Sequence, residues 1–207
     1  MAEQGEGTGL LMAGMLAGLA GAVDAIAYLR LQRALVSFMS GNTMALGLSV
    51  GRADWAMAGQ LAPLVGAFLA GVVAGSVIAG VSGQWHTPTV LGIVAAVLAA
   101  VAGGAGPRAV WLGLAMGVLN GAMNRAGPVR VSLTYVTGTL VRFGQGLGRW
   151  LLGHRGEDWG AQAVPWIGLA AGAAAGGWLE RRLGLQALWA TVGLALAVAA
   201  WAAVRRG

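Results

Sequence analysis

Long apolar runs broken by short polar links organise this chain. Six runs meet or approach the roughly 20 apolar residues that a helix needs to cross a bilayer core. They cover 9–30, 57–81, 88–105, 108–125, 162–180 and 185–204. Two further stretches, 34–52 and 129–152, are apolar but interrupted. The first carries Ser37, Ser40, Gly41, Asn42 and Thr43, and the second Arg130, Ser132, Thr134, Thr137, Gly138, Thr139 and Arg142. Either they cross as broken helices or they enter and return on one side. The links between runs are short. Trp85, His86, Thr87 and Pro88 mark one turn, and Gly103, Gly104, Gly106 and Pro107 mark another at the centre of the chain.

Composition agrees with this pattern. Of 207 residues, 57% are hydrophobic and 10% charged, against about 25% charged in an ordinary soluble domain. So little charge cannot cover a water-facing surface, but a lipid-facing one does not need it. The 37 glycines would weaken helices in water, yet in a bilayer small residues let helices approach closely. With no cysteine, disulfides, thiolate metal sites and cysteine nucleophiles are excluded. The net charge of +6 is carried by arginines at the ends of apolar runs. That is the pattern of interface anchors and not of a nucleic-acid face. The first nine residues hold Glu3 and Glu6 and no basic residue, so the first run reads as a retained span and not as a cleaved signal.

The two interrupted stretches match each other. Ser37-Phe38-Met39-Ser40-Gly41-Asn42-Thr43 aligns with Thr134-Tyr135-Val136-Thr137-Gly138-Thr139-Leu140 at one constant offset. Arg33, Gly47, Gly51 and Arg52 fall on Arg130, Gly144, Gly148 and Arg149. With small gaps, Gly21, Asp24 and Tyr28 fall on Gly117, Asn120 and Asn124, and Pro63, Gly66 and Gly75 on Pro165, Gly168 and Gly177. The chain therefore reads as one membrane domain, 1–207, of two repeats, about 9–105 and 108–204. Three full spans per repeat make the second enter the bilayer upside down, an architecture of transporters and channels. Four spans per repeat would make the repeats parallel. The odd count is preferred because the interrupted stretches are the poorest spans. The expected fold is an all-α integral membrane protein of about six spanning helices in two inverted three-helix repeats, each with an additional interrupted or re-entrant segment. The arginines divide six against six between the two sides, so the positive-inside rule gives no orientation.

The block Gly21-Ala-Val-Asp24-Ala25, Tyr28-Leu29 and Phe38-Met39-Ser40-Gly41-Asn42-Thr43 resembles the signature of the YoaK-like family, domain of unknown function 1275. Gly117-Val-Leu-Asn120 with Thr134-Tyr135-Val136-Thr137-Gly138-Thr139-Leu140 is similar to that family's second block, without the glutamine expected before Asn120. The resemblance spans nearly the whole chain. It implies a bacterial multi-span protein of the cytoplasmic (inner) membrane and supplies no substrate.

Several residues could carry chemistry. Asp24 is the one acid inside an apolar run. An intramembrane carboxylate must face the protein interior and have a partner, as a proton, cation or substrate contact or as a structural acceptor. Tyr28 lies one turn on, and Asn120 and Asn124 occupy the matching positions of the second repeat. Ser40-Gly41-Asn42-Thr43 and Thr137-Gly138-Thr139 supply hydroxyls, an amide and flexible backbone, which at membrane depth belong beside a cavity or buried in protein. Arg142 either faces that cavity and attracts an anion or snorkels to the interface. Gly168, Gly172 and Gly176, with Gly71 and Gly75, read as packing faces within or between subunits. No nucleophile–base pair, P-loop or metal motif is present, so no enzyme activity, cofactor or metal is expected. The expected function is a transporter or channel for a small polar or anionic solute, with proton coupling through Asp24 as a sub-hypothesis. The alternative is a non-transporting structural or assembly protein. Expected partners are the bilayer, the solute and a second copy through glycine-rich faces, with no nucleic acid.

Overall fold

The computed structural model describes residues 2–31, 34–106, 108–123, 136–154 and 159–205. They form eight α-helices: α1 (Ala2–Arg30), α2 (Met39–Gly51), α3 (Trp55–Val81), α4 (His86–Ala102), α5 (Arg108–Met123), α6 (Val136–Leu151), α7 (Ala163–Leu183) and α8 (Leu188–Val204). No strand occurs among the described residues. In hydrocarbon each backbone N–H and C=O must bond within its own segment, and the helix is the simplest way to do so. Four described stretches are long and apolar enough to cross a membrane: Gly7–Arg30, Trp55–Val81, Gly83–Ala102 and Gly160–Val204, the last holding both α7 and α8. The sequence runs thus become helices, with ends set by local chemistry. The Asp54 carboxylate caps α3 by accepting from the Met57 N–H at 3.1 Å. Gly184, at φ 59°, takes the left-handed backbone that ends α7 and turns the chain into α8.

At the centre, α1, α4, α5 and α8 bury Leu16, Leu19, Ile26, Leu91, Leu98, Leu112, Met116, Leu119 and Leu188 against one another. Outside them, α7 lies along α1 and α3 lies along α5, and these are the most extensive helix pairs. Glycine explains both. A Cβ on Gly168, Gly172 or Gly176 would come within 2.0–2.6 Å of the carbonyl oxygens of Gly14, Gly18 and Ala22. A Cβ on Gly117 or Gly121 would come within 2.1–2.2 Å of those of Phe68 and Val72. Only hydrogen fits there, so backbones touch directly. The glycine rows are packing faces within this chain.

Those contacts also fix direction. Gly14, Gly18 and Ala22 meet Gly168, Gly172 and Gly176 in the same order, so α1 and α7 run parallel. Leu64, Phe68 and Val72 meet Gly113, Gly117 and Gly121 likewise, so α3 and α5 run parallel. Arg30 at the end of α1 pairs with Glu180 near the end of α7. The turn that follows α7 sends the Gln186 amide to the Ala102 carbonyl at the end of α4, at 3.4 Å. At the other end, Arg205 after α8 donates to the Thr8 hydroxyl at 2.9 Å. Hence α1, α4 and α7 finish at the Arg30 end, and α3, α5 and α8 start there. So α1 finishes and α3 starts at that same end. At the other end, α5 finishes and α7 starts.

Candidate functional site

The return of the chain after α1 is held by apolar packing of Val36 in the core and by the hydrogen bonds of one acidic side chain. Asp24 is buried, at 4% exposure, and lies six residues before Arg30, roughly 9 Å down the helix axis. Its Oδ1 accepts the Val36 N–H at 2.6 Å and the Ser37 N–H at 2.9 Å. Its Oδ2 accepts the Ser37 hydroxyl. Ser37 is itself 1% exposed. The strand of chain between α1 and α2 therefore dips back beside α1 to the depth of Asp24, and α2 starts from there. Of the readings open for Asp24, the structural acceptor is the one whose partners are in place. Its three bonds answer the cost of a carboxylate held away from water.

The first interrupted stretch follows directly. Asn42 is buried, and its amide donates to the Leu35 carbonyl across the bend and lies 3.6 Å from the Met39 sulfur. Phe38 at the N-terminus of α2 gives no side-chain cap. Ser40, Gly41 and Thr43 are exposed on α2, which packs on α3. A Cβ on Gly41 would meet nothing within 4 Å. The structure thus brings Asp24, Ser37 and Asn42 into one polar knot and leaves Ser40, Gly41 and Thr43 on its outer side. It does not add Tyr28, which is 40% exposed although one turn from Asp24.

In the second half of the chain Asn120 is buried, 8% exposed, and donates to the Met116 carbonyl one turn back at 2.9 Å. Thr139 is buried and donates to the Val136 carbonyl at 2.8 Å. Thr137 is exposed and Gly138 half-buried. Asn124 lies outside the described residues, as do Thr134 and Tyr135, the counterparts of Ser37 and Phe38. Helix α6 has two faces. Phe143 and Trp150 stand against Trp159, with ring centroids 5.3 and 6.2 Å away. Gly146 lies beneath that indole, where a Cβ would be 2.2 Å from the Trp159 Cβ. Arg142, Gln145 and Arg149 share an adjacent, exposed face, about 100° round the helix.

Two features escaped the sequence reading. Ser37 was visible as part of the repeat but not as the partner of Asp24. It lies 13 residues on, beyond the helix end, where no helical periodicity connects the two. The Arg30–Glu180 pair joins residues 150 apart, with only opposite charge at two span ends as a signal.

The family described as "Protein of unknown function (DUF1275)" matches residues 12–201. The chain is a DUF1275 member. The match takes in both zippered helix pairs, the Asp24 knot and both interrupted stretches. A curated relative, the UPF0700 transmembrane protein RA0705 of Rhizobium meliloti (strain 1021), is 51% identical over 78 residues, which are 37% of this chain and 35% of that protein. The matched segment spans about a third of that relative's length. No solved structure matches. The family is a transmembrane one of unknown function, so what this member does must be read from its own residues.

Proposed function

We propose that this chain is a multi-pass transporter or channel of the bacterial inner membrane, moving a small polar or anionic solute and catalysing no reaction. Its frame is six spans, α1, α3, α4, α5, α7 and α8, in two inverted repeats of three. Three contacts support that frame: Arg30 with Glu180, Gln186 with Ala102, and Arg205 with Thr8. Together they return α2 and α6 to opposite ends of the bundle. The packing supports it too. Exchanging α1 to α4 with α5 to α8 turns the α1–α7 pair into the α5–α3 pair, and the α2–α3 pair into α6–α7.

The observation that carries the transport reading is an irregular bend held inside the bundle at the depth of Asp24, with Ser37 buried in it and the hydroxyl residues Ser40 and Thr43 exposed on the helix that follows. Irregular backbone at membrane depth belongs beside a cavity or within protein, and paired interrupted helices mark the solute site in inverted-repeat carriers. Ser40, Asn42 and Thr43 with Thr137 and Thr139 supply the polar lining, Asp24 and Asn120 sit beside it, and Arg142 supplies positive charge. Proton coupling through Asp24 is part of the proposal.

A second reading, a structural or assembly protein, draws on a specific observation: Asp24, Asn42, Asn120 and Thr139 all have hydrogen-bond partners inside the chain. Purified protein in proteoliposomes decides. Uptake of a panel of small anions and neutral polar solutes, with and without a pH gradient, should show at least one solute retained above empty vesicles. That signal should fall on Thr43→Val and Thr139→Val substitution. Uptake of none, at full reconstitution, would hand the case to the structural reading.

A further inference from the structure

Helix α2 and the bend before it have one side-chain tie to the rest of the bundle among the described residues, and Asp24 makes it. Asn42 and Ser49 bond within their own segment, to the Leu35 and Ala45 carbonyls. The remaining hold is apolar: α2 packs on α3, Val36 in the bend is buried in the core with Ala34 and Met39 against it, and along α2 Gly41, Gly47 and Gly51 have open space where a Cβ would be. By contrast the spans on either side are locked backbone to backbone. So a loosely packed helix hangs from a rigid frame, and a carboxylate with three donors fixes the point of attachment.

We propose that Asp24 is a positioning residue: its carboxylate latches the Val36–Ser37 backbone to α1 and so sets the depth at which Ser40, Gly41 and Thr43 are presented. The inference deepens the transport reading, since it names what shapes the site, but its test needs no transport. An acid kept for its charge would differ in one respect. The latch needs acceptor geometry, which an asparagine reproduces in part. The amide oxygen still accepts both backbone N–H groups, and the amide nitrogen can donate to the Ser37 oxygen. An alanine offers nothing.

The chain has no cysteine, so a single introduced thiol reports on one position. Thr43→Cys is labelled in sealed vesicles with a membrane-impermeant maleimide, alone and combined with Asp24→Ala, Asp24→Asn or Ser37→Ala, with Ala53→Cys as the exposed reference. The parent should label more slowly than the reference. Asp24→Ala should speed labelling about tenfold or more, as the loss of charge-assisted hydrogen bonds implies. Asp24→Asn should stay near the parent and Ser37→Ala should fall between. If Asp24→Ala does not reach the membrane, the order of Ser37→Ala above Asp24→Asn decides the matter. A parent that labels as fast as Ala53→Cys overturns the proposal. So does an Asp24→Asn form as fast as Asp24→Ala, or Asp24→Ala and Ser37→Ala forms that both label at the parent rate. None of these outcomes depends on a solute, so failure of the latch and failure of the transport reading are told apart.

Discussion

Single residues in this protein divide by what stands opposite them. Gly172 faces the Gly18 carbonyl so closely that a Cβ would lie 2.0 Å away, whereas Gly92 on α4 faces open space. Gly172→Ala should therefore cost about 1–3 kcal/mol through forced separation of α1 and α7, while Gly92→Ala should be neutral or gain up to about 1 kcal/mol from helix propensity. Thermal unfolding in detergent, followed by size-exclusion chromatography, compares the two. Glu180 is buried and its partner Arg30 half-exposed, so Arg30→Ala should lower stability by about 1–3 kcal/mol by leaving the acid without its donor. The double change Arg30→Leu with Glu180→Leu should recover most of that. The glycine rows were legible in sequence because four-residue spacing has a single geometric meaning on a helix. Their partners were not, since the rows on α5 and α7 look alike and nothing local says which one α1 chooses. Asp24 was legible as a residue that needs a partner, and Ser37 was hidden because the partner lies past the helix end.

At the level of elements, spans were easy to read and paths were not. Apolar length alone placed α3, α4, α7 and α8 to within a few residues, with α3 starting at Trp55 and α4 at His86, whereas α1 begins at Ala2, ahead of the apolar run at 9–30. Length did not say whether the interrupted stretches cross, because α6 at 16 residues is as long as α5 at 16. What decides is direction, and direction comes from contacts between distant residues such as Gln186 and Ala102. The consequence is measurable. Ala34→Cys and Ala53→Cys, before and after α2, should react from the same side of the membrane. Leu152→Cys and Ala161→Cys, after α6, should both react from the other. Opposite sidedness of Ala34→Cys and Ala53→Cys would mean that α2 crosses, and the two repeats would then be parallel.

Across the whole molecule, the two halves are interlocked and not merely adjacent. Each zippered pair takes one helix from each half of the chain, α1 with α7 and α5 with α3. Neither half holds a complete pair. Residues 1–105 and 108–207 expressed apart should each be degraded, and expressed together should assemble and purify as one complex. Stable accumulation of either half alone would contradict the interlock. This arrangement also sets an order on synthesis. Asp24 finds its donors within 13 residues of chain, so the costly charge is covered almost as soon as it leaves the ribosome. The glycine face of α1 waits for Gly172, about 150 residues later, which at roughly 5–20 residues per second is some ten to thirty seconds. For that interval α1 sits in lipid with a bare groove along its side, and the insertion machinery must keep it from closing on the wrong helix.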